Sequence, residues 1–121
     1  MKKILFVDDE PDMLKIVSLR LNVLGYDVTT ASNGREALDI IQKMTPDLVL
    51  LDLRMPLASG YDVYKYIKTN EKFRSIPVIL FTTSFAHDLS LKAKELGADD
   101  YITKPFDPPL LAGKIGKLIG N

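Results

Sequence analysis

The most constraining feature of this chain is that short strand-length stretches, such as Ile4–Val7 and Leu48–Leu51, are apolar at every residue. A strand with one face in solvent alternates apolar and polar side chains, whereas a strand covered by helices on both faces does not. Further strand-like stretches occur at Val28–Ala31, Val78–Phe81 and, more weakly, Tyr101–Ile102, and helix-period sequence fills the intervals. The pattern predicts an α/β fold of five βα units, doubly wound around a parallel sheet.

Length and composition limit the classes of protein to which this chain can belong. The chain has 121 residues, 46% of them apolar, and its last helical pattern runs to the end, so we predict a single domain over residues 1–121 with no effector domain. Its formal net charge is zero, which argues against direct nucleic-acid binding. The absence of cysteine excludes disulfides and thiolate chemistry. Without a signal peptide or a membrane-length apolar run, we expect a cytoplasmic protein with no membrane contact.

Polar residues follow four of the predicted strands at the point where each strand ends: Asp8-Asp9, Asp52, Thr82-Thr83 and Lys104. In an open parallel sheet these ends form one rim, where ligands bind. Clustered carboxylates without histidine or cysteine favour Mg²⁺, and a hydroxyl and an ammonium suit phosphoryl oxygens. The rim therefore predicts a phosphoryl-transfer site with a carboxylate nucleophile. Taken singly, the same residues also fit a helix cap, a loop acid, a strand end and a surface lysine.

The segments ILFVDDEPDM, DLVLLDLRMPLASG, IPVILFTTS and GADDYITKPF give the chain a family resemblance. Together they resemble the receiver domains of bacterial two-component response regulators over essentially the whole chain. The resemblance implies a flavodoxin-like (βα)5 fold with strand order 2-1-3-4-5, an order for which a chemotaxis member of this family is a standard example.

The resemblance also implies an acceptor and a metal site. By analogy with the family, Asp52 accepts the phosphoryl group. Mg²⁺ would be bound by Asp9, Asp52 and the backbone carbonyl of Arg54, with Asp8 assisting through water.

The remaining site residues follow from the same resemblance. Thr82 and Lys104 would contact the phosphoryl oxygens, and the backbone N–H of Thr83 would serve as a further donor. Tyr101 matches the aromatic switch residue whose rotamer follows the movement of Thr82. The family usually carries alanine or glycine where this chain has Thr83, which adds bulk beside the phosphoryl pocket.

The implied function is a phosphorylation-activated switch rather than an ordinary enzyme. A histidine kinase or a histidine phosphotransfer protein would donate the phosphoryl group, and the protein would catalyse its own phosphorylation and slow autodephosphorylation. The fourth helix, fifth strand and fifth helix would bind a downstream protein or a second copy, or the phosphoryl group would pass on in a relay. Two alternatives remain open at this point: a metal-dependent phosphohydrolase and a receiver-like module that binds partners without phosphorylation.

The first predicted helix has a wider apolar arc than one sheet-facing stripe requires. A core stripe is expected from Met13, Leu14, Val17, Leu21 and Leu24. A second stripe, Ile16, Leu19 and Val23, is expected to pack against the neighbouring helix, and the alternative is that it docks the helices of the phosphodonor.

The last predicted helix, Pro108–Ile119, contains or adjoins glycines at positions 113, 116 and 120. At about 100° per residue these glycines lie opposite the apolar side, so we expect them to face away from the core. They indicate either a marginal helix or a bare surface that a partner's backbone can approach closely.

Overall fold

In a computed structural model, the protein is described at residues 1–53, 60–82, 97–103 and 107–120. The strands within these ranges are β1 Lys3–Val7, β2 Asp27–Ala31, β3 Leu48–Leu51, β4 Val78–Thr82 and β5 Asp100–Thr103. The helices are α1 Pro11–Val23, α2 Gly34–Lys43, α3 Gly60–Thr69 and the last helix, Pro108–Ile119. The predicted fourth helix falls within residues 83–96, outside the described residues.

The described strands form one parallel sheet in the order β2-β1-β3-β4-β5. The predicted fold class and strand order are therefore confirmed. Val7 at the end of β1 is in register with Ala31 of β2 and with Leu51 of β3, so the carboxyl ends of these three strands are level. No helix in the described part of the chain is long and apolar enough to cross a membrane.

Two apolar clusters cover the two faces of the sheet, which explains the uninterrupted apolar strands. Along β1, Leu5 and Val7 belong to the cluster under α2 and α3, whereas Ile4 and Phe6 belong to the cluster under α1 and the last helix. Every residue of β3 is fully buried in the same alternating way. Because successive side chains of a strand point to opposite faces, a strand between two helical layers buries all of them.

Helix ends follow from local sequence. Pro11 stands in the first turn of α1, where its missing N–H costs no hydrogen bond. Gly25 lies just beyond the end of α1 with a φ of 97°, a conformation that side chains disfavour. At the start of α2, the side chain of Asn33 accepts a hydrogen bond of 2.9 Å from the N–H of Glu36.

The second apolar stripe of α1 is exposed, so the expectation that it packs against a neighbouring helix was wrong. Ile16, Leu19 and Val23 are 50%, 57% and 86% exposed. The helix buries Val17 and Leu21, and at 100° per residue the mean direction of the stripe is about 150° from theirs. The stripe therefore points almost directly away from the sheet.

One member of the expected core stripe of α1 is also misplaced. Met13 and Leu14 pack against the core as expected, but Leu24 is 48% exposed. Leu24 is the C-cap residue of α1 and keeps helical backbone angles, so the periodicity gave its direction but not the point at which the core ends. On the last helix, Gly113 and Gly116 face open space, which confirms their predicted orientation.

Three aspartates hold the amino end of the sheet together. Asp47, which precedes β3, accepts a hydrogen bond of 2.7 Å from the backbone N–H of Lys3. Asp99, which precedes β5, accepts one of 2.8 Å from the N–H of Val78 at the start of β4, and its carboxylate lies 3.5 Å from Nζ of Lys68.

The third aspartate, Asp100, begins β5 and forms a salt bridge of 2.8 Å with Lys114 on the last helix. These acids therefore join neighbouring strands to one another and β5 to helices on both faces of the sheet.

Candidate functional site

Two aspartates follow the central strands at the carboxyl end of the sheet. The N–H of Asp8 donates to the carbonyl of Ala31 at 3.1 Å, and the N–H of Asp52 donates to the carbonyl of Val7 at 2.9 Å. These bonds continue the strand pairing by one residue, so both carboxylates begin where the sheet ends. Asp8 is fully buried and Asp52 is 3% exposed, and they are the only charged residues in the described ranges that are buried. Burying a carboxylate is costly unless nearby groups compensate its charge.

Two more carboxylates join Asp8 in the turn before α1. Oδ1 of Asp8 accepts a hydrogen bond of 2.9 Å from the N–H of Glu10, which folds the turn back on itself. One carboxylate oxygen from each of Asp8, Asp9 and Glu10 lies within 4.8 Å of the other two. Asp9 and Glu10 are exposed, so the cluster opens to solvent on one side. This donor set consists of hard oxygen ligands and fits Mg²⁺ or Ca²⁺.

Glu10 is the member of this cluster that the sequence reasoning did not assign. The run Asp8-Asp9-Glu10 contains the signal, but it is also an ordinary helix-start pattern. The distance between their carboxylate oxygens, within 4.8 Å, is what shows that the third carboxyl group lies near the first.

Gly60 fixes the backbone beside Asp52. It is the first residue of α3, and a Cβ added to it would collide with the carbonyl oxygen of Asp52 and lie 2.5 Å from Cα of Leu53. Real side chains do not tolerate such distances, so α3 can lie against this part of the chain only because position 60 has no side chain. A helix terminus thereby supports the peptide that carries the Asp52 carboxylate.

The other predicted site residues are placed in part. The backbone of Thr82 ends β4, in register with Thr103 of β5. Tyr101 is half-buried on β5 and packs against the cluster under α2 and α3. Arg54, Thr83 and Lys104 lie outside the described residues. The structure thus brings Asp8, Asp9 and Asp52 to one edge of the sheet. The carboxyl end of β4, the strand next to β3, lies at the same edge.

The chain matches the response regulator receiver domain family over residues 4–116. It belongs to that family. This receiver domain is 41% identical over 118 residues to "Probable transcriptional regulator ycf27" of Porphyridium aerugineum. The aligned region covers 98% of this chain and 48% of the relative. The chain therefore spans about half the length of the curated relatives it matches.

Solved structures of other receivers have the same fold. The chemotaxis protein CheY4 of Vibrio cholerae superposes with a TM-score of 0.89 at 32% identity, covering 98% of each chain. The response regulator TrrA of Thermotoga maritima, solved in complex with Mg²⁺ and BeF, superposes with a TM-score of 0.85 at 38% identity, covering 98% of this chain and 99% of the other.

Family membership makes the protein a receiver of two-component signalling. It favours the signalling switch over the metal-dependent phosphohydrolase that the carboxylates alone left open.

Proposed function

We propose that Asp52 is the residue of this receiver domain that accepts a phosphoryl group. The observation that carries the proposal is its position: Asp52 is a buried carboxylate at the carboxyl end of a central strand, next to Asp8 and braced by Gly60. A buried carboxylate at the carboxyl end of a parallel strand, beside a second buried acid, is where a chemical role is expected.

Mg²⁺ is the proposed cofactor. Asp8, Asp9 and Asp52, with the backbone carbonyl of Arg54, are the groups that would hold it, and Glu10 lies close enough to contribute. When bound, the ion supplies positive charge that offsets the mutual repulsion of these carboxylates and the charge of the phosphoryl oxygens. The complex of TrrA with Mg²⁺ and BeF supports this assignment.

The proposed reaction is a direct transfer between two side chains. An oxygen of the Asp52 carboxylate attacks phosphorus, the N–P bond of a phosphohistidine on the donor breaks, and the imidazole leaves with the bonding electrons and takes up a proton. Thr82, the N–H of Thr83 and Lys104 would contact the phosphoryl oxygens. Autodephosphorylation is the same displacement with water as the nucleophile and the Asp52 carboxylate as the leaving group.

The proposed partners are a donor and a reader of the phosphorylated state. A histidine kinase or a histidine phosphotransfer protein donates the phosphoryl group. Phosphorylation replaces the single negative charge of the Asp52 carboxylate by a phosphoryl group that carries about −1.5 to −2 charges at pH 7, which draws Thr82 towards it and lets Tyr101 follow. A downstream protein or a second copy would then bind the surface that includes β5 and the last helix.

The proposal is tested with a small phosphodonor. Protein, Mg²⁺ and acetyl phosphate are incubated and the intact mass is measured, with Asp47→Asn as a matched control because Asp47 flanks β3 at its opposite end. We expect one phosphoryl adduct in the wild type and in Asp47→Asn, and none in Asp52→Asn. An adduct on Asp52→Asn contradicts the assignment. No adduct on the wild type indicates a module that works without phosphorylation, and repeated turnover of varied phosphate esters indicates a phosphohydrolase.

A further inference from the structure

Tyr101 is held at two points by one acid and one lysine. The backbone N–H of Tyr101 donates to Oδ1 of Asp100 at 2.8 Å. Nζ of Lys114 donates to the same oxygen at 2.8 Å and lies 5.5 Å from the centroid of the Tyr101 ring. That distance is within the range of a cation–π interaction. A single ammonium thus contacts the ring and the carboxylate that anchors the backbone of the same residue.

This arrangement requires Lys114 to reach around the edge of the sheet. Side chains alternate along β5, so Ile102 packs under α1 and the last helix, whereas Tyr101 packs against the cluster on the opposite face. Lys114 belongs to the last helix, on the face of Ile102. Because β5 is the outermost strand in the described sheet order, no other strand lies between the two faces at this edge. The lysine therefore connects the last helix to an aromatic ring on the far side of the sheet.

The pair is partly shielded from solvent. The side chains of Lys114 and Asp100 are 23% and 24% exposed. An ion pair in that environment is screened less than one on the open surface. The ammonium is also fixed in place by Asp100, so its contact with the ring does not depend on a freely moving side chain.

The register shows what this contact opposes. Asp100 begins β5 opposite Ile79, and Thr103 lies opposite Thr82 at the carboxyl end of β4. A Tyr101 ring that moves towards the end of β4 moves away from Asp100, and so away from the lysine that Asp100 holds. The contact of the Tyr101 ring with Lys114 therefore competes with the movement of the ring towards the end of β4.

We propose that Lys114 is a positioning residue for the aromatic switch: its charge holds the Tyr101 ring at the outer edge of β5 and opposes ring movement towards the phosphorylation site. This inference rests on the proposed function, which assigns Tyr101 as the switch. Removing the charge lowers the cost of the movement, so the activated state forms at a lower level of activating ligand. For one partly exposed cation–π contact, the midpoint is expected to fall about two- to fivefold.

The test uses beryllofluoride with Mg²⁺ as the activating probe and the NMR signals of the Tyr101 ring as the readout, assigned by their loss in Tyr101→Phe. Lys114→Met removes the charge and keeps the apolar stem. Lys114→Arg restores the charge. Lys117→Met, which changes an exposed lysine of the same helix, is the matched control.

We expect Lys114→Met to shift the resting ring signals and to lower the beryllofluoride midpoint about two- to fivefold, with Lys114→Arg and Lys117→Met close to the wild type. Asp100→Asn, which keeps an acceptor for the N–H of Tyr101 but loses the anchoring charge, should change in the same direction by less. An unchanged midpoint and unchanged resting signals in Lys114→Met overturn the inference, as does an equal shift in Lys117→Met.

Failure of the proposed function gives a different result. In that case the wild type itself acquires no phosphoryl adduct by intact mass. The resting ring signals of Lys114→Met, measured without any activating ligand, then still decide whether Lys114 positions the ring.

Discussion

Strand β3 carries an aspartate at each end, and the two residues have opposite surroundings. At the amino end, Asp47 is partly exposed and accepts a hydrogen bond from the backbone of Lys3. At the carboxyl end, Asp52 is buried and lies next to Asp8. The same type of side chain thus joins two strands at one end of β3 and is the proposed phosphoryl acceptor at the other. The two aspartates differ in burial and in the groups that surround them.

The contrast extends across the whole sheet. The aspartates at the amino end, at positions 47, 99 and 100, each accept from a backbone N–H, and two of them also meet a lysine. At the carboxyl end, carboxylates converge on one another. The acids at the amino end therefore join strands and helices to one another, whereas those at the carboxyl end gather around one place.

The largest effect is expected where the carboxyl end is braced. Gly60→Ala should lower the free energy of unfolding by about 3 kcal/mol, since the new Cβ collides with the backbone of Asp52 and Leu53. The same displacement of Asp52 should slow adduct formation. Urea denaturation and intact-mass kinetics measure the two effects, and wild-type values in both would show that α3 does not support the Asp52 backbone.

At the amino end, we expect substitutions to lower the stability of the protein without lowering its phosphorylation. Asp99→Ala removes the acceptor for the N–H of Val78. Because Val78 is fully buried, the change should cost about 2 kcal/mol of unfolding free energy. Asp99→Asn, which keeps an acceptor, should recover part of this loss. Equal adduct yields in all three proteins are expected. A specific loss of phosphorylation in Asp99→Ala would break the division between the two ends.

Magnesium should stabilise only through the carboxyl end. At ten times its dissociation constant, Mg²⁺ should add about 1.4 kcal/mol to the unfolding free energy of the wild type at constant ionic strength. Asp9→Asn should reduce this gain, whereas Asp47→Asn should keep it. The midpoint of urea denaturation with and without Mg²⁺ decides the matter. A gain that Asp47→Asn abolishes would place the metal at the wrong end of the sheet.

The glycines of the last helix provide a reference away from both ends. The double change Gly113→Ala and Gly116→Ala should raise the unfolding free energy by up to about 2 kcal/mol in total and by less if the helix end frays, because an added Cβ meets nothing at either position. Unchanged partner binding would then indicate a marginal helix, and weakened binding a partner surface. Lowered stability would contradict both interpretations.

The smallest effect is expected in alkaline solution. Burial, and secondly the negative charge of Asp99, raise the pKa of Tyr64 above its usual 10.0. The folded state therefore retains this proton when the unfolded state has lost it. The stabilisation is fully present below about pH 10 and is lost as the pH rises through the folded pKa. Tyr64→Phe should flatten the decline in denaturation midpoint above pH 10, and an equally steep decline would exclude Tyr64 as a cause.

The sequence predicts the fold well because the fold depends on signals that are local or periodic. Uninterrupted apolar runs identify the two central strands, and the positions of Asp8 and Asp52 directly after them place both acids at one edge. The strand order itself came from the family resemblance. None of these inferences requires knowledge of which surfaces finally meet.

The failures share one physical cause. Periodicity shows that Ile16, Leu19 and Val23 lie on one side of α1, but it cannot show whether any element covers that side. The contact of Lys114 with Asp100 and Tyr101 likewise depends on how the last helix is placed along β5. Glu10 was missed because a helix-start acid and a site acid have the same sequence pattern.

The contacts of Tyr101 with Asp100 and Lys114 also affect how separate molecules associate. The outer edge of a terminal strand exposes backbone groups that a strand of another molecule can pair with, which leads to aggregation. On β5 the N–H of Tyr101 is already bonded to Asp100, and the ammonium of Lys114 lies over the same edge. An approaching strand would have to displace an ion pair to reach that N–H. The contact that positions one side chain within the receiver therefore also protects this edge of the sheet from pairing with other chains.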